Sequence, residues 1–202
     1  MEEQTRIKIC GLTRLEDIDA VNELKPEYVG FVFAKSRRQI TKEHAVTLRR
    51  YLDPEIQAVG VFVNELPAIV AGYLEEGVID LAQLHGNESE EYIHSLRFRT
   101  GGELIKAFSI KTREDVEKAK KSSADYILLD HGKGGTGESF EWSLIRNMDR
   151  PYFLAGGLNA ENVEQAILQT HPFAVDISSG VETDGVKDPK KITVCIRRIR
   201  HV

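Results

Sequence analysis

The sequence predicts an α/β protein, a closed (β/α)8 or TIM barrel of eight parallel strands, and three observations carry that expectation. Short runs rich in Val, Ile and aromatic residues alternate with longer segments of helical period from one end to the other. Eight such strand–helix units fit in 202 residues at about 25 each, enough for a strand, a helix and short loops. No linker-like stretch divides the chain, so residues 1–202 are expected to form one domain. Eight right-handed parallel units favour closure over an open doubly wound sheet, and a barrel this short must have lean loops.

Strands are expected at Arg6–Cys10, Tyr28–Phe33, Ile56–Val63, Ile79–Leu84, Glu103–Phe108, Tyr126–Asp130, Tyr152–Ala155 and Phe173–Ile177. Each is a short β-branched or aromatic run bounded by polar or turn-forming residues. The intervening helices are expected at Arg14–Glu23, Lys42–Tyr51, Glu65–Glu75, Ser89–Leu96, Thr112–Lys121, Glu141–Asn147, Asn159–Leu168 and Pro189–Arg200. Thr41, Thr112 and Asn159 suit helix N-caps, and Pro189 suits a first helical turn.

Composition narrows the function classes. With 41% apolar and 29% charged residues the chain can bury a core, which argues against global disorder. No uninterrupted apolar run approaches the roughly 20 residues that span a bilayer, and the start, MEEQTR, lacks a signal-peptide segment. A cytoplasmic protein without membrane partners is therefore expected. Cys10 and Cys195 are too few for a disulfide framework or a thiolate zinc site. Cys195 falls among Ile192, Ile196 and Ile199 in the last helix, where packing explains it. The net charge of −5 opposes broad nucleic-acid binding but leaves anionic small molecules open as ligands. A monomer is expected, with a homodimer left open.

In this barrel class chemistry sits where the strands end. Side chains alternate along a strand, so Lys8 and Cys10 share the inward face of the first strand while Ile7 and Ile9 face the helices. By the same parity Asp130 and Asp176 point inward at the ends of the sixth and eighth strands, and three reactive groups converge. The charge of Lys8 and the loop opened by Gly11 favour an accessible Cys10 thiol of lowered pKa. Asp130 follows the apolar run Tyr-Ile-Leu-Leu, where partial burial would raise its pKa toward that of a general acid. Each residue also has a plain structural reading, Cys10 as a small buried apolar group and Asp130 as a loop cap.

Glycine marks the ligand loops. Four of the six residues Gly132–Gly137, Gly135 among them, are glycine, as suits a mobile loop that approaches a ligand closely, though a plain flexible connection has the same composition. Ala155-Gly156-Gly157-Leu158 and Ser178-Ser179-Gly180-Val181-Glu182 follow the seventh and eighth strands. Barrels of this class build a phosphate site there, with the N-terminus of a short extra helix, so Gly156, Gly157, Ser178, Ser179 and Gly180 are candidates for it. Arg37 and Arg38 lie after the second strand, where a guanidinium can grip a carboxylate through two hydrogen bonds. Gln83 and His85 close the fourth strand, and His85 is as readily a structural histidine as a titrating one.

Together Lys8-Ile9-Cys10-Gly11-Leu12-Thr13, Gln83-Leu84-His85-Gly86, Leu128-Leu129-Asp130 with Gly134-Gly135-Thr136-Gly137, Ala155-Gly156-Gly157-Leu158 and Asp176-Ile177-Ser178-Ser179-Gly180-Val181-Glu182 resemble the phosphoribosylanthranilate isomerases of tryptophan biosynthesis. The resemblance spans nearly the whole chain, and its most specific parts are the Lys-Ile-Cys-Gly opening and the Ser-Ser-Gly-Val-Glu close. It implies a single barrel that converts N-(5′-phosphoribosyl)anthranilate to 1-(2-carboxyphenylamino)-1-deoxyribulose 5-phosphate by Amadori rearrangement, the third step from chorismate to tryptophan, without metal or organic cofactor. The family's general base corresponds to Cys10 and its general acid to Asp130. Its anthranilate-binding arginine lies in a Ser-Pro-Arg pattern that aligns with Ser36-Arg37-Arg38, so Arg38 is the counterpart and Arg37 replaces the proline. Lys8, Gln83, His85, Gly135 and Asp176 complete the expected substrate contacts, and His131, where the family often has a small hydroxyl residue, is given no role.

Two rival readings have their own signatures. A metal-dependent sugar-phosphate epimerase needs several His and Asp ligands at strand ends, and only His85 and His131 lie near one. A different sugar-phosphate isomerase with two aspartates leaves Cys10 unexplained, and a non-catalytic phosphate-binding barrel needs neither Cys10 nor Asp130.

Overall fold

The computed structural model describes residues 4–130, 142–145 and 148–202. Eight parallel strands close into a barrel in chain order: β1 (Arg6–Cys10), β2 (Tyr28–Val32), β3 (Gln57–Phe62), β4 (Leu81–Leu84), β5 (Glu103–Ser109), β6 (Tyr126–Asp130), β7 (Tyr152–Leu154) and β8 (Ala174–Ile177). The ring closes where β1 pairs with β8, placing Lys8 level with Asp176. Among the described residues seven helices pack around it: α1 (Leu15–Leu24), α2 (Lys42–Tyr51), α3 (Pro67–Glu75), α4 (Glu90–Arg99), α5 (Arg113–Lys120), α6 (Val163–Thr170) and α7 (Pro189–Arg200). None of the described helices is long and apolar enough to cross a membrane.

Period-two alternation sorts the strand residues into two layers. Tyr28, Val59, Leu81, Ile105, Leu128, Phe153 and Ala174 form one buried cluster inside the barrel. Ile7, Ile9, Val29 and Phe31 belong to a second cluster with the helix residues Ile18, Leu48, Val70, Ile93, Val116 and Ile196. Cys195 lies fully buried in that outer layer, as its apolar neighbours predict. Rings from the N-terminal ends of the strands plug the barrel floor. Phe153 meets Tyr28, Tyr126 and Phe173 with centroids at 5.4, 5.7 and 5.8 Å, and the Arg6 guanidinium lies 4.5 Å from the Phe173 centroid. The opposite end is left for function.

Local signals set most helix starts. Thr41 accepts the His44 amide, and Thr112 and Asp115 form a reciprocal capping box. Asp188 caps α7 just before Pro189. Asn159 is a correction: α6 begins four residues later, at Val163. The Asn159 carboxamide instead accepts the Glu161 amide, and Asn162 accepts the Asn159 amide, so the two form a turn ahead of the helix. Of the helix expected at 141–147, the described part, Trp142–Ile145, is a single 3₁₀ turn. The loop after β8 has structure of its own. Residues there form a hairpin of β9 (Glu182–Thr183) and β10 (Val186–Lys187), turned by Asp184 and Gly185, both at positive φ.

Phe153→Ala would open a cavity among three rings, because the closed floor cannot collapse onto it. Unfolding in urea is expected to show a loss of about 3–5 kcal/mol; a loss below about 1 kcal/mol would contradict a packed floor.

Candidate functional site

At the C-terminal ends of the strands lies a cavity of about 310 Å³. Of the expected site residues, Cys10, Arg38, Gln83, His85, Asp130, Gly156, Gly157, Asp176, Ser178 and Ser179 all line it. Lys8 lies one inward position below Cys10 and is fully buried. Gly180 lies outside the lining, and Gly135, with the whole 132–137 segment and His131, lies outside the described residues. Arg38 lines the cavity and Arg37 does not. Along the rim, β7 and β8 separate the strands that carry Cys10 and Asp130, so the loops after β7 and β8 lie between the two.

Cys10 is 8% exposed at the end of β1. Its neighbour across the β1–β2 pairing is Gly30, where a Cβ would fall 2.6 Å from the sulfur, so glycine there makes room for the thiol. Lys8 Nζ donates to Asp176 at 3.0 Å. Burial alone would lower the Lys8 pKa, but Asp176 and Cys10 hold it above its ordinary value. For Cys10 the direction expected from sequence is reversed. Burial, the largest influence, pushes the thiol above its ordinary value; Lys8 and Lys187 oppose that and Asp176 reinforces it. The sequence identified the lysine but not the depth of burial or the aspartate that offsets its charge.

Asp130 is 6% exposed at the end of β6. His85 brings its Nε2 to 3.6 Å from Asp130 Oδ2, while Gln83 Nε2 lies 2.8 Å from His85 Nδ1. Gln83 thus holds the imidazole with its Nε2 facing the carboxyl group. Two buried acceptors on the cavity wall, Gln83 Oε1 and Asp176 Oδ1, have no hydrogen-bond partner among the described residues.

The loops after β7 and β8 are held against each other. A Cβ on Gly180 would fall 2.0 Å from the Leu158 carbonyl oxygen, so this glycine serves loop contact rather than the cavity wall. Gly156 and Gly157 both adopt positive φ, and no acceptor among the described residues takes their amide N–H groups. Ser178 Oγ donates to the Cys10 carbonyl at 2.9 Å, so its hydroxyl proton is already engaged and Ser179 is the hydroxyl still available to a ligand.

A model of the N-(5′-phosphoribosyl)anthranilate isomerases matches residues 7–198. The chain belongs to that family. The isomerase of Thermoanaerobacter pseudethanolicus is 46% identical, with 98% of each chain covered. The crystal structure of the Thermotoga maritima enzyme, 39% identical, superposes with a TM-score of 0.89 over 98% of this chain and 100% of that one. A second family structure, bound to reduced 1-(o-carboxyphenylamino)-1-deoxyribulose 5-phosphate, is 39% identical over the same shares, with a TM-score of 0.86.

Within the family frame the structure adds residues that sequence analysis left without a role. Val32, Val61 and Val63 form an apolar wall of the cavity, and β3, which carries Val61, lies four strands around the ring from β7. Glu182 accepts from Arg38 Nε at 2.6 Å and Nη2 at 3.0 Å, and from Lys187 Nζ at 2.6 Å. Burial works against the Glu182 charge, yet bonds from Arg38 and Lys187 hold its carboxyl below the ordinary value. The double arginine at 37–38 signals a need for counter-charge, but only the fold brings a residue 144 positions away to meet it.

Alkylation follows the thiolate, so iodoacetamide labelling of Cys10 in the ligand-free protein is expected to have its pH midpoint above the ordinary thiol value of 9.0. Cys195, pushed up to about 12 by burial, should not interfere. A Cys10 midpoint below 9.0 would show that Lys8 outweighs burial.

Proposed function

We propose that this chain isomerises N-(5′-phosphoribosyl)anthranilate by an Amadori rearrangement in which Cys10 is the general base and Asp130 the general acid. The observation that carries the reading is that both residues line one cavity, with the glycine-rich loops after β7 and β8 between them. The amides of Gly156 and Gly157, with the Ser179 hydroxyl, suit a phosphate. Arg38 suits the anthranilate carboxylate, and the wall of Val32, Val61 and Val63 suits the aryl ring. Gln83 Oε1 and Asp176 Oδ1, buried acceptors without a donor among the described residues, suit the hydroxyl groups of the sugar. Support also comes from the related structure whose bound compound carries a phosphate and a carboxyphenyl group.

In this reading Asp130 protonates the furanose ring oxygen and the ring opens to a protonated Schiff base, whose positive nitrogen acidifies C2′. Cys10, as thiolate, removes the C2′ proton, and the resulting enolamine tautomerises to the ketone. The Schiff-base cation also favours the thiolate against the burial that disfavours it in the empty cavity. Two anchors at opposite ends hold the sugar in line with the pair, which converts part of the barrier into prior binding.

Mixing the protein with freshly prepared phosphoribosylanthranilate is expected to abolish the substrate's fluorescence, and no change with folded protein would reject the function. Cys10→Ala and Asp130→Asn are each expected to lower kcat by about 10²–10⁴-fold with an unchanged circular dichroism spectrum. Near-normal turnover by either variant would remove that residue from its role.

A further inference from the structure

Beside the reacting pair, charge is concentrated on one carboxylate. Glu182, with its side chain 4% exposed, takes three cations: Arg38 through Nε and Nη2, Arg37 Nη2 at 2.7 Å and Lys187 Nζ at 2.6 Å. Lys187 Nζ also donates to the Ser178 carbonyl at 3.0 Å, which ties the carboxylate to the loop after β8. The Lys187 carbonyl in turn accepts Arg14 Nη2 at 2.7 Å, which ties the same hairpin to the loop after β1.

A guanidinium presents two edges, each able to bind a carboxylate through two parallel hydrogen bonds. Glu182 takes the Nε–Nη2 edge of Arg38. The stem of that arginine lies over Gly11, at φ +87°, where a Cβ would fall 2.4 Å from Arg38 Cδ. The side chain is thus fixed at both stem and head. Three cationic groups around one carboxylate leave the cluster net positive, as recognition of an anion requires.

We propose that Glu182 is a positioning residue for substrate selection: by gripping one edge of Arg38 it presents the other edge to the aryl carboxylate of the substrate. The proposal rests on the reading of Arg38 as the carboxylate anchor. Holding a long side chain in its bound rotamer lowers the ordering cost of binding, which offsets the charge that Glu182 neutralises. Lys187 and Arg37 brace the carboxylate, so that it is not pulled toward Arg38 alone.

The test compares kinetics on two substrates, N-(5′-phosphoribosyl)anthranilate and the N-(5′-phosphoribosyl)aniline that lacks the carboxylate. Glu182→Gln places an amide NH₂ against guanidinium or ammonium donors. It is expected to raise KM for the carboxylated substrate by about 30-fold or more while kcat changes by less than about threefold. The preference of the wild type for that substrate in kcat/KM is expected to shrink by about tenfold or more. Glu182→Asp, one methylene shorter but still charged, should fold if the amide variant does not, and should shrink the preference by a smaller factor. Equal losses on both substrates, or an undiminished preference in the Asp variant, would overturn the proposal. A wild type that does not distinguish the two substrates would instead refute Arg38 as the carboxylate anchor, and with it the role of Glu182.

Discussion

The site depends on one buried ion pair, Lys8 with Asp176, formed where the first strand meets the last. The two residues are level across the β1–β8 pairing and 168 positions apart in the chain, so the pair exists only when the ring is closed. Its side chains are 0% and 8% exposed. Loss of either partner would leave an uncompensated buried charge, at a cost of about 3–5 kcal/mol. That penalty ties barrel closure to the electrostatics beneath Cys10, because the lysine that favours a thiolate is itself held charged by the aspartate. The carboxylate also opposes the thiolate, so the pair moderates the field at the sulfur rather than simply making it positive.

Much of this was legible in the chain because it depends on short-range patterns. The alternation of Ile7 and Ile9 with Lys8 and Cys10 separates helix-facing from inward residues, and the same parity sets Asp130 and Asp176 inward. Thr41 and Thr112 cap helices through bonds reaching only three residues. The failures have equally local or plainly non-local causes. Asn159 satisfies an N-cap preference, but its carboxamide is used in a turn shared with Asn162. The hairpin of Glu182–Lys187 is too short to carry a period, so the sequence shows no element there. The sign of the Cys10 shift depends on burial and on Asp176, neither of which spacing along β1 can supply. Glu182 meets Arg38 only through the order of strands around the ring.

The ring order also explains how lean loops can line one cavity. Strands that are far apart in the chain are neighbours or opposites around the mouth, so short loops on them reach different parts of one cavity. Arg38, after β2, and Gly156–Gly157, after β7, each need only a few residues of reach. Close contacts then fix loops without long stabilising segments: Gly180 lets the loop after β8 rest on the Leu158 carbonyl, and Gly11 lets the Arg38 stem pack over the start of the loop after β1. Glycine thus acts less as a source of mobility at these positions than as a means of close approach.

In the proposed mechanism, a base whose pKa is raised and a partner that must donate a proton pose a constraint on catalysis. The reactive form has one proton on the carboxyl group and none on sulfur; its isomer, with the proton on sulfur, has the same total charge. Conversion between them moves a proton within the site and does not change the number bound, so activity is flat in pH between the two apparent pKa values of the pair. Raising the thiol therefore does not shift the whole profile upward; it widens the plateau and lowers its height, since the reactive isomer becomes scarcer. The reaction works against that scarcity, because the Schiff-base cation, once formed, favours the thiolate. In that mechanism the acid is needed at ring opening and the base one step later, when the new positive charge lies beside the carbon to be deprotonated. A thiol kept neutral in the empty cavity is thus compatible with a thiolate base, provided that the reaction itself supplies the charge that ionises it.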